Sequence, residues 1–223
     1  MTPDIAPAGD QAFTVTFGAG VDPALSARVL AAAERLAAAR MAGVTDVVPG
    51  YDHLLVAYDP LVAAAADVRA WIAARIEDEA APLPARRVEI PVCYDAALAP
   101  DLEALAQEKG LAVDALVALH AAPEYRCYLL GFRPGFPFLG GLDQRLVAAR
   151  LATPRLRVPA GSVGIGGRQT GVYPVDSPGG WRLIGRTPLR LFDPARAEPF
   201  LVRAGDTVRF APIDRAAYDR MSA

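Results

Sequence analysis

The chain has 223 residues, 53% of them hydrophobic and 22% charged, with a formal net charge of −2 at pH 7. That content can bury a sizeable core, in one large domain or two small ones, and excludes a disordered chain. The charge balance gives no general pull towards nucleic acid or anionic membrane, and no uncharged apolar run approaches the ~20 residues of a membrane span.

In chain order, Met1-Thr2-Pro3-Asp4 shows no secretory signal. Residues 11–17 alternate as a strand ended by Gly18. Asp22-Pro23 supplies an N-cap followed by proline at the first helical position, and Leu25, Val29, Ala32 and Leu36 repeat at helical spacing up to the stop at Gly43. Residues 44–48 and 53–58 read as two strands of a hairpin through Pro49-Gly50, with His53 structural. A second helix carries Val68, Trp71, Ile72 and Ile76 on one face. The order β-α-β-β-α, closed by 87–92 as a last strand, predicts a split βαβ (ferredoxin-like) layer over 1–84. Residues 80–84 (Ala-Ala-Pro-Leu-Pro) read as the linker.

The second domain, 85–223, has a different texture. Helices are predicted over 101–109, stopped by Gly110, and over 113–120. A strand follows over 125–130, and then short apolar runs between Gly/Pro turns, the pattern of a closed β structure in an α+β chain. Residues 201–210 read as two strands about an Ala-Gly-Asp turn. Cys93 and Cys127 are too few for a disulfide framework or a zinc site and read as small buried hydrophobes. The simplest account is a soluble cytoplasmic protein.

Within this half, the 58 residues 131–188 hold 12 of the 19 glycines and 7 of the 20 prolines. Such backbone control beside Phe132, Phe136, Phe138, Tyr173 and Trp181 predicts shaped turns against an apolar wall, either barrel corners or a ligand or partner surface. Several chemistries are excluded. Residues 161–166 have P-loop spacing, but Gly167 and Arg168 occupy the two chemical positions. Lys109 is the single lysine against 22 arginines; it stands in Glu-Lys-Gly at a helix end, where solvation is expected, and no biotin-bearing lysine exists. Ser162 falls one residue short of a nucleophile elbow and reads better as a turn serine. His120 shares a helical face with Val113, Leu116 and Val117 at its helix end, which fits either a structural imidazole or an acid–base group.

Four motifs occur in order: Gly131-Phe-Arg-Pro-Gly-Phe-Pro-Phe-Leu-Gly-Gly-Leu142, Val158-Pro-Ala-Gly-Ser-Val-Gly-Ile165, Gln169-Thr-Gly-Val-Tyr-Pro174 and Ser177-Pro-Gly-Gly-Trp-Arg-Leu-Ile-Gly-Arg-Thr-Pro188. Together, over about residues 12–213, they resemble the family of B-type 5-oxoprolinase subunits, which is also labelled allophanate hydrolase subunit 1 and includes the sporulation-kinase inhibitor KipI. That family is similar to one half of the urea carboxylase carboxyltransferase domain. The resemblance implies a cyclophilin-like barrel for 85–223. It also implies a subunit of an ATP-dependent 5-oxoprolinase, inactive alone, that works with a larger C-type and an A-type partner on 5-oxoproline. No cofactor of its own is expected; ATP and Mg²⁺ belong to the assembled complex. The alternatives are an inhibitor of a sensor histidine kinase and a carboxyltransferase half served by a separate biotin carrier. Leu119, His120 and Tyr125 match a recurring family segment, making His120 the candidate catalytic residue. Gly135, Ser162, Gln169, Ser177, Gly180 and Arg186 are the candidate substrate-binding residues, with Phe136 and Phe138 as interface. Arg155, Arg157 and Arg168 are further forks able to match a carboxylate, with ion pairing as the plainer role.

Overall fold

The structure is a computed structural model that describes residues 2–76 and 85–222. The linker reading at 80–84 lies outside the described residues. The chain divides into two compact units, Met1–Pro84 and Ala85–Ala223.

In the first unit, β2 (Ala12–Thr16) and β4 (His53–Tyr58) form the centre of a sheet, flanked by β1 (Asp4–Pro7) and β3 (Val44–Pro49). Every pairing is antiparallel. Period-two alternation sends Phe13, Val15, Leu54, Val56 and Tyr58 to one face. There they meet Val29, Ala32 and Leu36 of α1 (Pro23–Ala39) and Val68, Ile72 and Ile76 of α2 (Ala65–Ile76). Asp22 caps α1 by accepting the Leu25 N–H at 2.9 Å, with Pro23 opening the helix. Trp71 packs partly buried beneath the Arg75 guanidinium, 5.3 Å from its ring centroid. The fourth strand corrects the expectation: it is β1, from before the first predicted strand, and not 87–92. Residues Arg87–Cys93 instead form β5, whose Ile90 and Val92 are buried in the second unit.

That unit is a closed barrel in the order β10-β7-β6-β13-β5-β12-β9. Its strands are β5, β6 (Tyr125–Leu130), β7 (Pro137–Gly140), β9 (Ser162–Gly166), β10 (Gln169–Val172), β12 (Arg182–Arg186) and β13 (Thr207–Ile213). A separate ribbon pairs β8 (Arg155–Val158) with β11 (Ser177–Gly179). β5 and β13 run parallel over seven residue pairs, which accounts for the capture of β5 by the barrel. The expected hairpin over 201–210 is half right. Only β13 is a strand, because Leu201 N–H bonds to Leu191 O, and Asp206 accepts the Arg203 N–H and the Arg86 guanidinium. α3 (Leu102–Lys109) ends at Gly110 in the left-handed region, and α4 (Val113–Ala121) packs on β13. α5 (Arg215–Ser222) closes the chain. Cys93 and Cys127 are buried and unpaired. No described helix is long and apolar enough to cross a membrane.

Candidate functional site

The glycine-rich motifs come together around one aromatic cluster beside the main barrel core. Phe136, Tyr173 and Trp181 are buried with Val158 and Leu183, and Phe138 packs against them. Phe136 meets Tyr173 at 5.1 Å and Trp181 at 5.3 Å between ring centroids, both edge to face. Gly166 is the seat of the indole: a Cβ there would lie 2.5 Å from Trp181. The glycines therefore let rings lie directly on strand backbone, so the apolar wall expected from the motifs is a packed cluster. Phe136 is 2% exposed, so it is core and not an interface residue in this chain.

Next to this cluster lies an open groove of ≈ 720 Å³ whose lining includes Ala160, Gly161, Asp176, Arg186, Thr187 and Arg190. The groove wall is fixed by backbone. Gly161 N–H donates to Tyr173 O at 2.7 Å and Thr187 N–H donates to Gly161 O at 2.9 Å. Asp176 accepts the Ala160 N–H at 2.8 Å and the Arg157 Nε–H at 2.8 Å, and these bonds hold its carboxyl below the usual range. Arg186, half-buried, donates from Nε to Ala160 O at 2.8 Å. Its two terminal amino groups make no hydrogen bond among the described residues. A guanidinium planted by Nε with its outer edge unused is suited to a planar anion such as a carboxylate.

His120 lies elsewhere, sealed in the barrel core at 0% exposure and stacked on Phe210 with centroids 4.6 Å apart. Nε2 meets Thr170 Oγ1 at 2.9 Å, and that hydroxyl donates onward to Gly164 O at 3.0 Å. Nε2 must therefore carry the proton, and Nδ1 accepts from the Tyr94 hydroxyl at 2.8 Å. Burial pulls the imidazole pKa down to about 3. A neutral ring with both nitrogens paired and no exposed surface does not have the access that an acid–base residue requires.

A family model described as carboxyltransferase domain, subdomain C and D, matches residues 3–202. The chain belongs to that family. It is 46% identical over 209 residues to the B-type 5-oxoprolinase subunit of Escherichia coli O157:H7, covering 92% of this chain and 93% of that one. It is 41% identical over 224 residues to the subunit of the same name from Bacillus subtilis (strain 168), covering 94% and 92%. Among solved structures, TTHA0988 superposes with a TM-score of 0.82 at 42% identity. That match covers 92% of this chain but only 40% of TTHA0988.

In this carboxyltransferase-family chain the predicted residues separate into groups. Arg186 lines the groove, and Gly135 abuts Phe192 on its wall, where a Cβ would lie 2.9 Å from Phe192 Cβ. Ser162 is next to the groove, but its hydroxyl is buried and donates to Pro159 O at 2.7 Å, the turn role. Ser177 is 4% exposed, opposite Val158, with no partner for its hydroxyl among the described residues. Gln169 pairs with Gly166 at the far end of β9 from Ser162. Gly180 accepts the Leu151 N–H at 2.7 Å. Arg155 and Arg157 take the plainer role, bridging Asp101 and Asp176 at 2.6 Å each, and Arg168 is exposed in the β9–β10 turn. The lysine is less solvated than expected: its side chain is 20% exposed and bridges Glu108 at 3.0 Å. Sequence reasoning missed Asp101, a buried carboxylate that accepts the Leu183 N–H at 2.6 Å besides holding Arg155. Its one signal was its place at the head of α3.

Proposed function

We propose that this chain is the B-type subunit of an ATP-dependent 5-oxoprolinase, which opens the lactam of 5-oxoproline to give glutamate. The observation that carries the reading is the 46% identity to the E. coli subunit of that name across nearly the whole of both chains. The site geometry supports a binding role. His120 is sealed, Ser162 is committed to backbone and Lys109 to Glu108, whereas Arg186 offers a free guanidinium edge to the groove. In this reading Arg186 holds the substrate carboxylate, and the groups that break the C–N bond and deliver water come from the C-type and A-type partner subunits. ATP and Mg²⁺ join the assembled complex. Among the described residues no group of three or more His, Cys, Asp or Glu could hold a metal ion. Two buried unpaired cysteines suit a reducing, cytoplasmic setting.

The description of the matched family favours a second reading, a carboxyltransferase half served by a separate biotin carrier. Deleting the gene in its host separates the two: 5-oxoproline should accumulate in the deletion strain and fall again on complementation. An unchanged 5-oxoproline pool would contradict the 5-oxoprolinase reading.

A further inference from the structure

We propose that Asp176 is a second substrate-binding residue of the groove, reading the ring N–H of 5-oxoproline while Arg186 holds its carboxylate; the proposal rests on the 5-oxoprolinase reading. Asp176 lies in the gap between the third and fourth motifs, outside every stretch that carries the family resemblance. Its side chain and that of Arg186 are planted on one and the same residue. The Ala160 N–H donates to Asp176 Oδ1 at 2.8 Å, and Ala160 O accepts the Arg186 Nε–H at 2.8 Å. Ala160 is fixed in turn by its neighbour. Gly161 has φ 81, and a Cβ there would collide with Thr187 O, so glycine alone keeps the backbone on this path.

An anion and a cation thus line one groove without cancelling each other. Among the described residues the Asp176 carboxylate pairs with Arg157 at 2.6 Å and forms no ion pair with Arg186. The bonds from Ala160 and Arg157 keep it ionised, and the nearby positive charge of Arg186 adds to them. An ionised carboxylate accepts at about four lone-pair sites. The Ala160 N–H takes one on Oδ1, and Arg157 covers Oδ2 from Nε and Nη2. Oδ1 therefore keeps a lone pair for a ligand, on a side chain that is 44% exposed.

A ligand that satisfies both groups carries a carboxylate and, on the neighbouring atom, an N–H donor. 5-Oxoproline has that pattern, because its carboxylate sits on the carbon bonded to the ring nitrogen. Held in this way, it leaves its lactam carbonyl, on the other side of the nitrogen, clear of both side chains. An N–H bond to a carboxylate is charge-assisted and is stronger than one between neutral groups. A ligand with a methylene in place of the N–H would leave the Oδ1 lone pair without its donor, and a site built to bond a donor rejects such an analogue.

The test follows the backbone amides of Ala160, Gly161 and Asp176 by NMR while the chain is titrated with two ligands. One is 5-oxo-L-proline; the other is the matching enantiomer of 3-oxocyclopentane-1-carboxylate, in which a methylene replaces the ring N–H. Wild type should bind 5-oxoproline tighter than the carbocycle by about tenfold or more. Asp176→Ala should bring the two Kd values to within about twofold of each other. Arg157→Ala removes a partner of Asp176 but not the acceptor, so it should keep the preference. A purely structural Asp176 would weaken both ligands alike, and a wild-type ratio in Asp176→Ala overturns the proposal. Equal binding of the two ligands by wild type overturns it as well. Arg186→Ala separates this role from the reading beneath it. If that variant loses 5-oxoproline while Asp176→Ala keeps the ratio, the groove stands and Asp176 alone is removed from it. If Arg186→Ala binds 5-oxoproline as wild type does, or wild type shows no saturable shift, the groove is not the substrate site and the Asp176 role falls with it.

Discussion

Hydrogen bonds run one way through the His120 imidazole: the Tyr94 hydroxyl donates to Nδ1, Nε2–H donates to Thr170, and the Thr170 hydroxyl donates to Gly164 O. The relay ties α4 to the barrel strands, and removing the ring orphans buried hydroxyls. His120→Ala should therefore cost about 3 kcal/mol of stability at pH 7, with turnover per folded complex within about twofold of wild type. A tenfold loss of turnover at unchanged melting temperature would restore a chemical role. The linkage has a definite sign. The folded pKa of about 3 lies below the ordinary 6.5, so the unfolded chain binds the proton more readily between those values. Stability from this group is complete above pH 6.5 and falls as pH drops towards 3, by about 2 kcal/mol at pH 5. Denaturant melts at pH 7 and pH 5 should show that loss in wild type and a smaller one in His120→Gln. Equal slopes in the two proteins would contradict the burial argument. At the groove, Arg186→Ala should raise the KM of the reconstituted complex for 5-oxoproline at least tenfold with a smaller change in kcat, as loss of a carboxylate clamp does. An unchanged KM would remove Arg186 from the site.

At the scale of elements, the glycine-rich strands and the aromatics form one device, because a ring can lie on β9 only where Gly166 leaves the backbone bare. Phe136→Ala should lower the stability of the isolated chain by about 3–5 kcal/mol, the usual cost of removing a buried phenylalanine. Gly166→Ala should cost about 1–3 kcal/mol by displacing the indole. Melting temperatures within a degree of wild type for both variants would show that the cluster is not core. The motifs themselves were legible in the sequence, since glycine and aromatic residues alternate within them. The pairing of each glycine with its ring was not, because Gly166 and Trp181 meet across strands and spacing along one strand carries no such information. β1 escaped notice as a four-residue edge strand between prolines. Residues 87–92 were assigned to the wrong sheet because their pattern is set by a parallel partner 120 positions away, Thr207 facing Arg87. Arg155 was singled out, but its pairing with Asp101 was invisible for the same reason: a pair 54 residues apart leaves no periodic signal. Arg186 was legible because its motif gathers glycines around an arginine, the composition of an anion-holding turn.

At the scale of the molecule, the described residues that the sequence singled out divide into those bound up in the fold and those that face the groove. The chain offers a groove lined by the Arg186 guanidinium edge and a strained exposed aromatic, and it keeps His120, Ser162 and Lys109 occupied within the fold. In the proposed function, such a chain contributes binding surface to an assembly, and other subunits supply the bond-breaking groups. The central claim is tested most directly by ATP-dependent conversion of isotopically labelled 5-oxoproline to glutamate, assayed with this chain alone, with the C-type and A-type subunits alone, and with all three together. The account predicts turnover only in the complete mixture. Robust turnover by the single chain, or turnover by the other two subunits that this chain does not increase, would contradict it.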